Sequence, residues 1–299
     1  MTPAYIEAHL QGHLRQKAKI AREALRECRL CPRKCGVDRL KSDPWGKCKT
    51  GELALVSSFH PHFGEEAPLV GRNGSGTIFF THCNLLCSFC QNFDISHAGL
   101  GRTITNAELA TIMVDLQHAG CHNINFVSPS HVVPQILSAL EIAVEQGLRI
   151  PLVYNTGGYD RVKTLELLEG IIDLYMPDFK FWSREVASMT CQAPDYPEVC
   201  CKALMEMHRQ VGDLVIEGGV ARQGLLVRHL VMPQGLAGTR DIMHFIATQI
   251  SVETYVNIME QYRPCGQSFE IKALNRRISK IEFKEAVGHA QEQGLLRLD

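Results

Sequence analysis

The stretch Cys83-Asn84-Leu85-Leu86-Cys87-Ser88-Phe89-Cys90 decides how this chain is read. Three cysteines at this C-x3-C-x-(aromatic)-C spacing can hold three irons of a [4Fe–4S] cube and leave the fourth open. Four-cysteine sites close such a cluster off for electron transfer, whereas an open iron can chelate a small molecule and pass it an electron. Cysteine is often buried as a small hydrophobe, but three thiols in so short a run, straight after an apolar segment, fit that role poorly. A zinc site completed by His82 or His97 is the competing metal assignment.

Composition narrows the setting. The 299 residues are 45% hydrophobic, enough for one large α/β domain or two modest ones. A net charge of -1 offers no electrostatic footprint for nucleic acid or an anionic membrane. No apolar run approaches the roughly 18–20 residues that cross a bilayer, and the polar start MTPAYIEAHLQGHLRQKAKI lacks a signal-peptide core. A cytoplasmic location is expected. Twelve cysteines without an export signal then argue for metal-binding thiolates over a disulfide framework.

Along the chain, residues from about Tyr5 to Glu27 read as one amphipathic helix leading into Cys28-Arg-Leu-Cys31-Pro-Arg-Lys-Cys35 and then Cys48. This C-x2-C-x3-C-x12-C set supplies four thiolates, enough for a tetrahedral zinc site or a second cubane. Zinc is the favoured occupant, because a segment of about 50 residues has little core of its own. From Thr77 onward, apolar β-rich runs alternate with helix-period segments: Thr77–Thr81, Asn123–Ser128, Pro151–Asn155, Ile171–Met176, Leu225–Met232 and Tyr255–Met259. That alternation predicts a parallel sheet of βα units. Thr105 with Glu108 and Ser279 with Glu282 are capping boxes that start helices. Helices are expected from about Pro134 to Gln146 and from about Arg161 to Glu169, and LVIEGG before VARQGLLVRH predicts a hairpin. Cys121, Cys191, Cys200, Cys201 and Cys265 have no partners at metal-ligand spacing and read as packed thiols.

The triple-cysteine spacing resembles the signature of the radical S-adenosylmethionine (SAM) enzymes. Over most of the chain the words CRLCPRKC, GSGTIFFTHCNLLCSFCQN, VYNTGGYD, MPDFKFW and VRHLVMP resemble the PflX-type branch of pyruvate formate-lyase activating enzyme-like proteins. The resemblance implies an α/β fold, a partial (βα)6 TIM-like barrel with an N-terminal cysteine-rich metal-binding extension and a C-terminal helical cap. The corresponding divisions are residues 1–70, 71–265 and 266–299. It further implies a [4Fe–4S] cluster on Cys83, Cys87 and Cys90, with SAM on the open iron and 5′-deoxyadenosyl radical chemistry.

In such barrels the reactive face lies at the C-terminal ends of the strands, so strand-end residues supply the candidate SAM contacts. By the resemblance these are Phe89, Asn92, Ser128, Ser130, Asn155, Thr156, Asp178 and Lys180. Lys180 would neutralise the methionine carboxylate, since a carboxylate in a dry site needs a charged partner. Val127-Ser128-Pro129-Ser130-His131 stands where most relatives carry a Gly-Gly-Glu-like stretch that meets the methionine amine, and Asn155 stands where the activating enzyme has aspartate. The implied partners are a reductant such as flavodoxin or ferredoxin and a glycyl radical protein, with neither nucleic acid nor membrane. An electron carrier or zinc protein without SAM chemistry is the alternative.

Overall fold

This computed structural model describes residues 1–41 and 46–299. Among them lie nine strands: β1 Ala54–His62, β2 Ser75–Phe80, β3 Arg102–Ile104, β4 Ile124–Val127, β5 Leu152–Thr156, β6 Leu174–Pro177, β7 Val215–Glu217, β8 Val220–Leu230 and β9 Tyr255–Met259. They form one mixed sheet in the order β3-β1-β2-β4-β5-β6-β8-β7, with β9 also on β8. Each of the six apolar runs corresponds to one of β2, β4, β5, β6, β8 and β9, which pair in parallel and in chain order. Parallel strands need crossovers that cover both sheet faces, so they read as continuous apolar runs. Every residue of β5 is buried accordingly.

Alternation along the strands sorts side chains into two cores. Ile78, Phe80, Phe126, Leu152 and Tyr154 join the main core, which includes the apolar faces of helices Asn106–His118 and Val133–Glu145. Val153, Leu174, Met176 and Leu226 belong to a second cluster on the other face, closed by Leu69. Burying each such side chain contributes about 1.5–3 kcal/mol.

Both capping boxes form: Thr105 N donates to Glu108 Oε2 at 2.7 Å and Glu108 N to Thr105 Oγ1 at 3.1 Å, and Ser279 with Glu282 does the same at helix Lys280–Glu292. Helix Val133–Glu145 and the hairpin of β7 with β8 match the expected positions. The expected helix from Arg161 is a short turn, Val162–Leu165, continued as a 3-10 turn.

Three features depart from the sequence reading. The N-terminal helix is two, Ala4–Leu10 and His13–Glu23, because Gly12 takes the left-handed conformation at φ 75° and breaks the run. Helices Arg184–Cys191 and Tyr196–Val211 fill a stretch with no assigned element. Strand β1, inside the segment set apart as 1–70, pairs antiparallel with β2 along its length but with β3 only over Ala54–Val56. Pro61 is tolerated there because the far half of β1 is an edge, where a missing N–H breaks no ladder.

Asp173 pins the N-terminus to this sheet. Its carboxyl accepts from Ala4 N at 2.8 Å and Leu152 N at 2.9 Å. Burial raises its pKa from 3.8 to about 7, outweighing those two donors. The folded pKa lies above the unfolded one, so the stabilising contribution is complete below about pH 3.8 and is lost as pH rises through 7. The scale is on the order of 1.4 kcal/mol per unit of difference. Urea unfolding of Asp173→Asn across pH 4–7 should therefore lose less stability on the alkaline side than wild type does. Parallel curves for the two proteins would refute this linkage.

Candidate functional site

Strand β2 runs out at Phe80 into the cysteine loop. His82 and Leu86 both adopt left-handed backbone conformations, at φ 69° and 57°. This is rare for residues with side chains, and here it wraps the loop around its sulfurs. Leu85 N donates to Cys83 Sγ at 3.4 Å and Ser96 Oγ to Cys90 Sγ at 3.2 Å. Burial pushes the Cys83 thiol up to about 12 and raises Cys90. Cys87 is raised most by a hydrogen bond with the Cys191 thiol and next by burial. Buried thiols of this kind ionise only beside a cation, which is what an iron supplies. The donor set therefore fits an iron–sulfur cluster.

The three cysteines open onto a cavity of about 250 Å3. Phe89 and Asn92 line it from the loop, and Ser128, Asn155, Thr156, Asp178 and Lys180 line it from the ends of β4, β5 and β6. Seven of the eight candidate cofactor contacts thus share one cavity with the cysteines. Ser130 does not. Its hydroxyl turns into the protein to Thr156 Oγ1 at 3.0 Å, in a buried network where Thr156 and Tyr154 donate to Asp160. The strand-to-helix turn at Pro129 directs it inward. Ser128, held at φ 58° immediately before that proline, instead lines the cavity.

Tyr196, fully buried, ties the strand ends together. Its one hydroxyl proton is shared between the carbonyls of Gly157 and Asp178, each at 3.0 Å, and its oxygen accepts from Lys180 N at 2.9 Å. Gly158, at φ 76°, permits this approach, since a Cβ there would collide with the Asp178 carbonyl. The cavity's charge centre is Asp178, which accepts from Lys180 Nζ at 2.5 Å and from Arg228 Nε at 2.8 Å. Arg228 also donates to Asn155 Oδ1 at 2.7 Å. Burial alone would raise the Asp178 pKa, but Arg228 and Lys180 hold the carboxyl below its ordinary range. Burial likewise opposes charge on Lys180, and the neighbouring Asp178 carboxylate outweighs it.

Arg228 is a charged residue of the candidate site that sequence reasoning missed. As the one charge within the apolar run LLVRHLVM it was visible, but its partner Asp178 sits on another strand. Cys191 and Cys265, read as packed thiols, both adjoin the cysteine loop: Cys191 meets Cys87, and Cys265 Sγ donates to Phe89 O at 3.0 Å.

Cys28, Cys31, Cys35 and Cys48 border a separate small cavity with Arg39 and His131. Burial pushes the Cys31 thiol up to about 12, and the other three thiols add to the rise. Among the described residues no group of three or more His, Cys, Asp or Glu side chains is gathered as a single-ion site, at this segment or at the Cys83–Cys90 loop.

No family model matches the chain. It is 32% identical, over 287 residues, to the uncharacterized protein MJ0674 of Methanocaldococcus jannaschii, an alignment covering 93% of this chain and 78% of that protein. A radical SAM methyltransferase from Sphaerobacter thermophilus superposes with a TM-score of 0.50 at 13% identity, over 75% of this chain and 65% of that structure. The likeness to the methyltransferase is one of fold, and the chain spans about two thirds of its length. A mixed α/β chain with the fold of a radical SAM enzyme, it belongs to the family of the uncharacterized protein MJ0674.

Proposed function

We propose that this protein is a radical SAM enzyme in which Cys83, Cys87 and Cys90 ligate a [4Fe–4S] cluster. The observation that carries the proposal is the facing arrangement of three thiols on one wall of a cavity and the paired Lys180 and Arg228 cations on another. A reduced cluster held by these three thiolates would supply the one electron needed for cleavage of SAM to methionine and a hydrogen-abstracting 5′-deoxyadenosyl radical. The chain's own residues bind and orient. Lys180, charged and buried, is placed to receive the methionine carboxylate. Asn155 and Thr156 take the ribose side, while Phe89 and Asn92 frame the mouth beside Cys90. Ser128 presents polar groups where the amine must be held. The segment around Cys265-Gly266-Gln267 braces the cysteine loop, with Gln267 N donating to Ser88 O at 2.7 Å.

The finer assignment keeps the six parallel strands as a partial (βα)6 barrel, with residues 1–70 as a metal-binding extension and 266–299 as a cap. Within the superfamily we place the chain in the PflX-type branch of activating enzyme-like proteins, acting in the cytoplasm with flavodoxin or ferredoxin as reductant. Its substrate class is a glycine of a glycyl radical protein. The N-terminal cysteines bind zinc or an auxiliary cluster.

A second reading, an electron carrier with a closed cluster, draws on one observation: Cys191 lies against Cys87 and could offer a fourth thiolate. The experiment that separates them is anaerobic reconstitution followed by reduction with dithionite in the presence of SAM. Formation of 5′-deoxyadenosine is expected. A fully loaded, reducible cluster that releases none overturns the enzyme assignment. With candidate glycyl radical proteins present, a glycyl doublet should appear by electron paramagnetic resonance (EPR). Deuterium passing instead from a labelled metabolite into 5′-deoxyadenosine would make the substrate a small molecule.

A further inference from the structure

Arg33 lies between Cys31 and Cys35, yet its side chain leaves the N-terminal segment altogether. Its Nε donates to Asn84 O at 2.9 Å, and Nη2 donates to Leu85 O at 3.1 Å and Cys191 O at 2.7 Å. Nη1 donates to Gln192 O. The guanidinium also sits 5.2 Å from the centre of the Tyr159 ring, and the Tyr159 carbonyl accepts from Asn84 Nδ2 at 2.7 Å. Lys47, from the same segment, adds a bond from Nζ to Gln192 Oε1 at 2.9 Å.

One planar fork therefore joins two pieces of chain that flank Cys87. The first is the turn Asn84–Leu85, whose Leu85 N–H faces Cys83 Sγ. The second is the C-terminal end of helix Arg184–Cys191, whose last carbonyls have no partner within the helix and whose Cys191 thiol meets Cys87. Arginine suits this task because its donors are rigidly spread, which an ammonium cannot reproduce. Hydrogen bonds to cluster sulfurs and their burial set the potential of an iron–sulfur centre.

We propose that Arg33 is a positioning residue through which the N-terminal cysteine segment sets the geometry, and so the reduction potential, of a cluster on Cys83, Cys87 and Cys90. The proposal rests on those three cysteines being cluster ligands, and it stands whether or not SAM is the substrate.

The test uses the full-length reconstituted protein with Arg33→Ala and Arg33→Lys, reading the cluster's EPR spectrum and midpoint potential without SAM, with iron per chain and circular dichroism alongside. In Arg33→Ala the fold should persist while the spectrum and potential shift, and iron affinity should fall about 10- to 100-fold, the range for outer-shell partners. Arg33→Lys, keeping the charge without the fork, should not restore them. Wild-type spectrum and potential in a folded Arg33→Ala protein would overturn the proposal. If that variant does not fold, Arg33→Lys decides alone: a shifted potential supports the role and an unshifted one ends it. Absence of 5′-deoxyadenosine from wild type would instead count against the enzyme assignment and leave these readouts intact.

Discussion

Replacing Cys87 with alanine is expected to cut reductive SAM cleavage by more than about 100-fold, beyond the 10- to 100-fold typical of outer-shell partners. In the proposed ligand set Cys87 is the middle thiolate of the three and is buried, and alanine offers no donor in its place. The companion variant Cys191→Ala removes the sulfur that accepts from Cys87, together with its contact to Thr190 Oγ1 at 3.5 Å, and should retain cleavage within about 10-fold. If instead Cys191→Ala strips the cluster and Cys87→Ala leaves turnover near wild type, then the ligand set is not the one described. Both variants are read as 5′-deoxyadenosine per reduced cluster, which separates ligand loss from poor loading.

Arg228→Ala should destabilise the fold by about 3–5 kcal/mol, the cost of stripping one partner from a buried ion pair. Arg228 is the stronger of two cations on Asp178, and it also faces Glu65 at 3.7 Å and Glu66 at 3.9 Å. Without it Asp178 keeps Lys180, while Glu65 and Glu66 lose the cation they face. Burial has already raised the Glu65 pKa, so part of the loss would be relieved by protonation. The expected fall in melting temperature is roughly 10 °C, at about 2–4 °C for each kcal/mol. A melting temperature within a degree or two of wild type would show that the carboxylates find other partners. Because Asp178 carries Lys180 into the cavity, Arg228→Ala should also weaken SAM binding.

The parts of the candidate site whose placement was legible are those in which one local word sets where the residues stand. The cysteine loop is such a word. So are Asn155-Thr156 and Asp178-Phe179-Lys180, because a parallel strand delivers its last residues to the same edge as its neighbours. Ser130 lies away from the cavity for the complementary reason: two residues after Ser128, its side chain follows a proline turn that no strand alternation governs. Strand β1 was missed because Pro61 and the irregular pairing between Val56 and Ser58 break its alternation. Its pairing with β2 is a long-range contact that propensity does not encode.

The sequence by itself determined the six parallel strands, the helix starts at Thr105 and Ser279, and the cysteine loop at the end of the first parallel strand. These follow from hydrophobic period, short-range capping and spacing, all local to the chain. Only the tertiary structure decided which groups share the cavity and what tunes them. Arg228 meets Asp178 across strands, Cys191 meets Cys87 from the end of a helix, and Arg33 reaches from one cysteine set to the other. These pairings depend on where the packed helices and sheet bring distant residues, since burial makes an unpaired charge or carbonyl costly enough to select one partner.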